Sequence, residues 1–187
     1  MNTRFDVIET PLQGLKVIQR KPFGDSRGYL ERMFCQSDFA ELLNGQTIFQ
    51  INHTLTGTTG TVRGMHFQLP PYTETKFVQC LKGEVYDVAV DVRSDSPTFL
   101  CWHAEILSAA NHKTFLIPEG FAHGFQTLTE DCEMLYFHSS PYSSNAEAAL
   151  NALDTKLAIR WPLTVTELSK RDKEHPMIQA DFHGVPL

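Results

Sequence analysis

Long apolar runs and clusters of basic residues are both missing from this 187-residue sequence. No uninterrupted apolar stretch approaches the ~18 residues of a membrane-spanning helix, so no membrane span is expected. The formal net charge is -6 and the lysines and arginines are scattered, which argues against nucleic acid or an anionic membrane surface as a partner. A small anionic ligand would have to be bound by a local group of cations in an acidic protein.

Cysteine is scarce as well, with four residues and no C-x-x-C pair. The cysteines are scattered along the chain, which is long enough to bury a substantial core without disulfides. The first ten residues, MNTRFDVIET, lack the apolar segment of a secretory signal. We therefore expect free thiols and a cytoplasmic protein.

Helical periodicity is weak and limited to 39–43 and 166–173, while the alanine-rich stretch 143–153 fits either a helix or an irregular excursion. Turn residues instead separate many short β-like segments, including two between 5 and 19. This pattern is typical of an antiparallel sandwich, jelly roll or barrel, and the length suits one domain, 1–187. The later strands are predicted at 47–53, 61–68, 77–81, 84–93, 101–107, 114–117, 124–128 and 133–137.

The strand-like stretch 61–68 carries a cation, a glycine and an imidazole close together. Because side chains alternate along a strand, Arg63 and Met65 are predicted on one face, and His66 with Gly64 and Gln68 on the other. The missing side chain at Gly64 leaves room for a ligand. The alternative is an ordinary strand edge with a solvated arginine and a hydrogen-bonded histidine.

His123 lies in a P-x-G-x-x-H stretch, Pro118 to His123, that is similar to the second motif of cupins. A cupin metal site also needs H-x-H in the first motif, but here His66 is followed by Phe67 and Gln68. Two candidate histidine ligands without a third do not predict a stable metal centre. A metal-dependent cupin oxygenase is therefore a weaker alternative.

Separated blocks of the chain form one pattern in order and spacing: RGMHFQ at 63–68, Lys76, GEVYDVAVD at 83–91, SPTF at 96–99, IPEGFAHGF at 117–125, Leu135-Tyr136 and IRWP at 159–162. Taken together, these blocks resemble the dTDP-4-dehydrorhamnose 3,5-epimerase family, and the resemblance covers residues 14 to 173. It implies a cupin double-stranded β-helix, a jelly roll of two antiparallel sheets with a few short peripheral helices. It also implies a homodimer with exchanged N-terminal strands.

The family resemblance implies a cofactor-free epimerisation of a nucleotide-linked 4-keto-6-deoxy sugar in deoxysugar biosynthesis. A base removes the proton from C3 or C5, the charge moves to the C4 oxygen as an enolate, and an acid protonates the opposite face. His66 matches the base and Asp172 the carboxylate that orients it. Tyr136 matches the proton donor, and Lys76 matches a cation near the developing oxyanion.

The same resemblance implies a set of substrate-binding positions. Glu31 lies one residue nearer to Arg27 than the family spacing has it, and Phe23 and Tyr29 are candidates for stacking on the base. His123 and Asp87 match a second pair in the site, with a supporting role. The positions that match or lie near family nucleotide-binding residues are Arg27, Glu31, Gln50, Asn52, Arg63, Glu147 and Arg171.

Several residues depart from the family pattern and leave the substrate open. Ile51 replaces a common aspartate, Phe137 a common lysine, and Pro141 stands where a tyrosine of the site is frequent. A single-centre 3- or 5-epimerase acting on a CDP- or GDP-linked sugar is one alternative. A catalytically silent protein that binds sugar nucleotides is another, and it would bind ligand without exchanging its protons.

Overall fold

A computed structural model describes residues 4–187 of the chain. Strands dominate these residues, and the two α-helices are each about one turn long. The strands are β1 Phe5–Glu9, β2 Lys16–Arg20, β3 Phe23–Asp25, β4 Gly28–Leu30, β5 Gln50–Thr56, β6 Val62–Gln68, β7 Lys76–Lys82, β8 Glu84–Asp91, β9 Trp102–Ser108, β10 Lys113–Ile117, β11 Phe121–Thr127, β12 Cys132–His138 and β13 Glu147–Ala149; the helices are α1 Ala40–Leu43 and α2 Lys170–Glu174.

Two antiparallel sheets form the body of the fold. The six-stranded sheet has the order β1-β2-β10-β7-β12-β5, and the five-stranded sheet has the order β13-β6-β11-β8-β9. Apart from the pairs β1-β2 and β8-β9, neighbours in both sheets are not consecutive in the chain, as in a jelly roll, so the predicted cupin fold is confirmed. Strands β3 and β4 make a separate hairpin.

The core is divided by the alternation of side chains along the strands. On β8, Val85 and Ala89 face the six-stranded sheet and join a cluster that includes Val78 and Phe115. The even residues of β8, such as Val88, pack instead beneath the C-terminal segment. Asp87 shares the inner face of β8, so this strand brings a carboxylate between the two sheets.

Several segments differ from the sequence prediction, including β5, which is shifted by three residues from the predicted 47–53. Residues 143–153 contain the short edge strand β13, because the backbone of 147–149 pairs with β6 despite the helix propensity of alanine. The last helix is shorter than 166–173 predicts and begins after Ser169, whose Oγ accepts a hydrogen bond from the Asp172 backbone N–H at 3.0 Å. Strand β11 begins at Phe121, three residues before the predicted start.

No helix within residues 4–187 combines the length and the apolar character needed to cross a membrane.

Candidate active site

A cavity of about 960 Å³ opens between the two sheets and receives side chains from both. Strands β6 and β11 form one wall, and strands β5, β7 and β12 form the other. Residues 166–173 lie along its rim. The ionisable or hydrogen-bonding side chains that line it include Asn52, Arg63, His66, Gln68, Glu74, Lys76, His123, Tyr136, His138, Tyr142, Glu147, Arg171 and Asp172.

A bulge in β6 places Arg63 and His66 on the same face. Arg63 pairs with Phe125 and His66 with His123, so β6 advances three residues while β11 advances two. The extra residue breaks the alternation, and Met65 packs with Val62 and Phe67 into the cluster beneath the C-terminal segment. The prediction that Arg63 and His66 face opposite ways was therefore wrong, and both line the cavity.

The bulge depends on Gly64, whose φ of +124° is unfavourable for residues with a side chain. A Cβ there would lie 2.5 Å from Gly124 Cα and 2.6 Å from the His123 carbonyl oxygen. Because both neighbours are backbone atoms, we expect Gly64→Ala to lower the free energy of unfolding by about 3 kcal/mol. Thermal or urea unfolding measures this change.

Gly28→Ala is the matched control, since Gly28 has a φ of +135° but nothing within 4 Å of the added Cβ. Only backbone strain applies there, so a loss of about 1 kcal/mol is expected. Equal losses in the two variants would contradict a steric requirement for glycine in the bulge.

His66 and Asp172 form a close pair on the wall made by β6. His66 Nε2 lies 2.8 Å from Asp172 Oδ1. Burial raises the pKa of Asp172. The hydrogen bond and charge of His66, together with the backbone N–H of Gly64, lower it by more, so the pKa of Asp172 lies below its ordinary value. An ionised carboxylate only accepts, so Nε2 carries the proton and neutral His66 keeps Nδ1 as its acceptor.

Tyr136 reaches the same cavity from the opposite sheet, on β12. Burial raises the pKa of Tyr136 well above its ordinary value, which keeps the hydroxyl protonated. His66 and Tyr136 thus face one cavity from its two walls, one with an accepting nitrogen and the other with a donating hydroxyl.

Lys76 joins the two walls. It belongs to β7 on the Tyr136 side, and its Nζ lies 3.1 Å from Glu74 Oε1 and 3.4 Å from the backbone oxygen of His66. Its side chain is only 9% exposed, so the ammonium is held within the cavity rather than in bulk solvent.

A second histidine–carboxylate pair lies deeper, where His123 Nε2 is 2.8 Å from Asp87 Oδ1. Complete burial raises the pKa of Asp87, although His123 opposes the shift. The His123 and Tyr136 rings are 6.1 Å apart in an edge arrangement. The pair belongs to the sheet that carries His66, and its imidazole contacts the Tyr136 ring from the opposite wall.

Some predicted binding residues lie away from the cavity of their own chain. Phe23 and Arg27 are on the exposed β3–β4 hairpin, and Arg27 pairs with Asp25. Glu31 is nearly buried. Its Oε1 lies 2.8 Å from Arg20 Nε and 3.0 Å from His112 Nδ1, so its carboxylate is already paired within the chain. Gln50 does not line the cavity, but its Oε1 accepts a hydrogen bond from the backbone N–H of Tyr142, which does.

Asn52, Glu147 and Arg171, which the resemblance suggests as binding residues, line the cavity. Arg171 Nη1 donates to Glu147 Oε2 at 2.8 Å, and its Nη2 is 3.3 Å from His66 Nε2. The guanidinium therefore lies between the His66 pair and the cavity mouth.

Tyr142 was not predicted from the sequence, because the family pattern has its tyrosine at the preceding position, which is Pro141 in this chain. The next residue supplies a phenol to the cavity, and its hydroxyl donates to Glu147 Oε2 at 2.9 Å. Its backbone N–H also donates to Gln50 Oε1. Glu74, Gln68 and His138 were missed as well, although strand alternation places His138 on the face of Tyr136.

Among residues 4–187, no three His, Cys, Asp or Glu side chains are grouped so that they would hold a metal ion.

A jelly roll with titratable side chains on opposite inner walls of one cavity has the architecture of a cupin-type isomerase. The sequence pattern of the dTDP-4-dehydrorhamnose 3,5-epimerase family matches residues 9–180. The enzyme of that name from Shigella flexneri is 40% identical over 179 residues, 95% of this chain and 98% of its own. The chain therefore belongs to the dTDP-4-dehydrorhamnose 3,5-epimerase family.

Solved structures agree with this assignment. A dTDP-6-deoxy-D-glucose-3,5-epimerase from Legionella pneumophila, in complex with dTDP-4-keto-L-rhamnose, has a TM-score of 0.90 at 37% identity and 98% coverage of both chains. A 3'-monoepimerase from Streptomyces bikiniensis in complex with dTDP-quinovose has a TM-score of 0.84 at 29% identity, covering 91% of this chain and 86% of its own. Family relatives thus include enzymes that invert two centres and one that inverts a single centre.

Proposed function

We propose that the protein inverts C3, C5 or both in a nucleotide-linked 4-keto-6-deoxy sugar, within deoxysugar biosynthesis. The observation that carries this proposal is the placement of His66 and Tyr136 on opposite walls of one cavity. Inversion by proton transfer requires a base on one face of the sugar ring and an acid on the other. Neither a single titratable group nor two on one wall meets this requirement.

In the proposed reaction His66 Nδ1 removes the proton from the carbon next to the C4 ketone. The electron pair of the broken C–H bond forms the C=C bond of the enolate, and the carbonyl electrons move onto the C4 oxygen. The Lys76 ammonium stabilises that oxygen, and ionised Asp172 stabilises the imidazolium. Tyr136 then donates its hydroxyl proton to the other face of the carbon, which inverts the centre.

The cavity also suits the diphosphate of a sugar nucleotide. Arg63 and Arg171 both line it, so two guanidinium groups are gathered in one cavity of an acidic protein. Guanidinium groups bind phosphate oxygens through forked, charge-assisted hydrogen bonds. We propose dTDP as the nucleotide because the relatives described above carry it in their names.

We propose a homodimer in which the N-terminal strands exchange and bring Phe23 and Arg27 to the partner's cavity. In the isolated chain the β3–β4 hairpin leaves Phe23 68% and Tyr29 64% exposed, far more than aromatic side chains usually are. Analytical ultracentrifugation tests the assembly: a mass of twice 21.2 kDa is expected, and a monomer at micromolar concentration would contradict it.

The activity is tested with a panel of dTDP-, CDP- and GDP-linked 4-keto-6-deoxy sugars in deuterated water, followed by NMR. We expect deuterium to enter C3 or C5 of the dTDP sugar and an epimer to accumulate. Exchange at C3 alone would identify a monoepimerase. If a sugar of the panel binds tightly and no sugar of the panel exchanges its protons, the protein is instead a catalytically silent sugar-nucleotide-binding protein.

A further inference from the structure

Glu74 joins two other cavity residues on the tyrosine wall. Its Oε1 is 3.1 Å from Lys76 Nζ, and its Oε2 is 2.7 Å from His138 Nδ1. Each of the three side chains is at most 12% exposed. One carboxylate therefore binds two donors, one through each oxygen.

Glu74 is ionised in this arrangement. Burial raises its pKa, but the charge of Lys76 and the hydrogen bond from His138 outweigh burial and hold the pKa below its ordinary value. Because an ionised carboxylate only accepts, His138 Nδ1 must carry a proton. Glu74 thus neutralises the ammonium of Lys76 before any substrate enters.

His138 connects this carboxylate to the outer part of the wall. Its Nε2 lies 3.3 Å from Asn52 Nδ2, an amide nitrogen that can only donate, so neutral His138 accepts there. The His138 ring also stacks near Tyr136, with centroids 6.1 Å apart and planes inclined by 25°. The position of Glu74 is therefore fixed by a side chain that is itself held on two sides.

Lys76 needs such a restraint. A lysine side chain is long and flexible, and its compact ammonium is attracted to phosphate. In a cavity that receives a sugar diphosphate, an untethered Lys76 would turn towards the diphosphate instead of the C4 oxygen. Glu74 on one side and the His66 carbonyl on the other oppose that movement.

We propose that Glu74 and His138 are positioning residues that hold Lys76 at the reacting part of the sugar. This inference rests on the proposed function, in which Lys76 faces the developing enolate. It assigns a role to two residues that the reaction scheme above does not use. Their effect should appear in the chemical step and not in the affinity for substrate.

Glu74→Gln tests this role through a double-mutant cycle with Lys76→Met. We expect Glu74→Gln to lower kcat by about 10-fold or more, since the cation is misplaced in the transition state. KM should stay the same or fall, because released Lys76 binds the diphosphate. In the Lys76→Met background the same substitution should change kcat by less than about 2-fold. Slow residual rates are measured by deuterium incorporation over hours.

Glu105→Gln is the matched control, because Glu105 also bridges a lysine and a histidine. Its Oε2 lies 2.9 Å from Lys113 Nζ and its Oε1 lies 3.1 Å from His103 Nε2, and none of the three residues lines the cavity. Its kcat should equal that of the wild type. An equal loss of kcat for Glu74→Gln in both backgrounds, or a rise in KM alone, would overturn the positioning role.

His138 provides a second test if Glu74→Gln does not fold. His138→Asn keeps an amide donor near the position of Nδ1, whereas His138→Ala removes it, so Asn should recover most of the kcat that Ala loses. Equal losses would overturn the proposal. Wild-type protein without exchange on any substrate would overturn the proposed function as well, whereas active wild type with unchanged variants would overturn only the positioning role.

Discussion

His66→Ala should lower the rate at which the C3 or C5 protons of the sugar exchange with deuterated water by about 10³-fold. The reason is geometric, since Asp172 holds Nε2 at 2.8 Å and leaves Nδ1 as the proton acceptor on that wall. Proton NMR of the dTDP-linked 4-keto sugar in deuterated water measures the rate directly. Binding of dTDP should change little, because the imidazole is assigned to the chemical step.

His53→Ala is a suitable control for that measurement. His53 also pairs with a carboxylate, Glu133 at 3.1 Å, but it is exposed on β5 and does not line the cavity. Its exchange rate should match that of the wild type. Undiminished exchange in His66→Ala would remove this residue from the mechanism.

Tyr136→Phe should separate exchange from inversion. The variant keeps the base, so the substrate proton still exchanges with solvent, but it lacks the donor on the opposite wall. We therefore expect deuterium to return from the His66 side with retained configuration, and formation of the epimer to fall by about 10²-fold or more. NMR records both quantities in one sample, because exchange removes the signal of the proton at that centre and the epimers differ in the chemical shifts of their remaining protons.

Tyr86→Phe controls for the loss of a phenol. Tyr86 packs edge-on against Trp161, with centroids 6.3 Å apart, on the outer side of the five-stranded sheet. Both exchange and inversion should be unaffected by its substitution. Normal inversion in Tyr136→Phe would show that another group protonates the sugar.

The fold could be predicted because its signals are local. Alternating strands such as β8 and regularly spaced turns indicate an antiparallel sandwich, and the resemblance to the family narrows it to the cupin jelly roll. Residues 147–149 show the limit of such signals. Their alanines favour a helix, and only pairing with distant β6 makes them a strand.

The site was harder to predict, because one inserted residue changes which side chains meet. Strict alternation separates Arg63 from His66, and the bulge at Gly64 and Met65 reunites them. Nothing within the strand itself reveals a bulge that depends on backbone contact with Gly124. Likewise, Glu74 and His138 are 64 residues apart, and only the fold shows that they share a hydrogen bond.

A crystal structure of the protein with a dTDP-linked 6-deoxy sugar bound tests the central claim most directly. We predict that the pyranose lies between the β6 and β12 walls, with His66 Nδ1 and the Tyr136 hydroxyl on opposite faces of the ring and both near C3 or C5. A sugar bound outside this cavity, or one with both side chains on the same face, would contradict it.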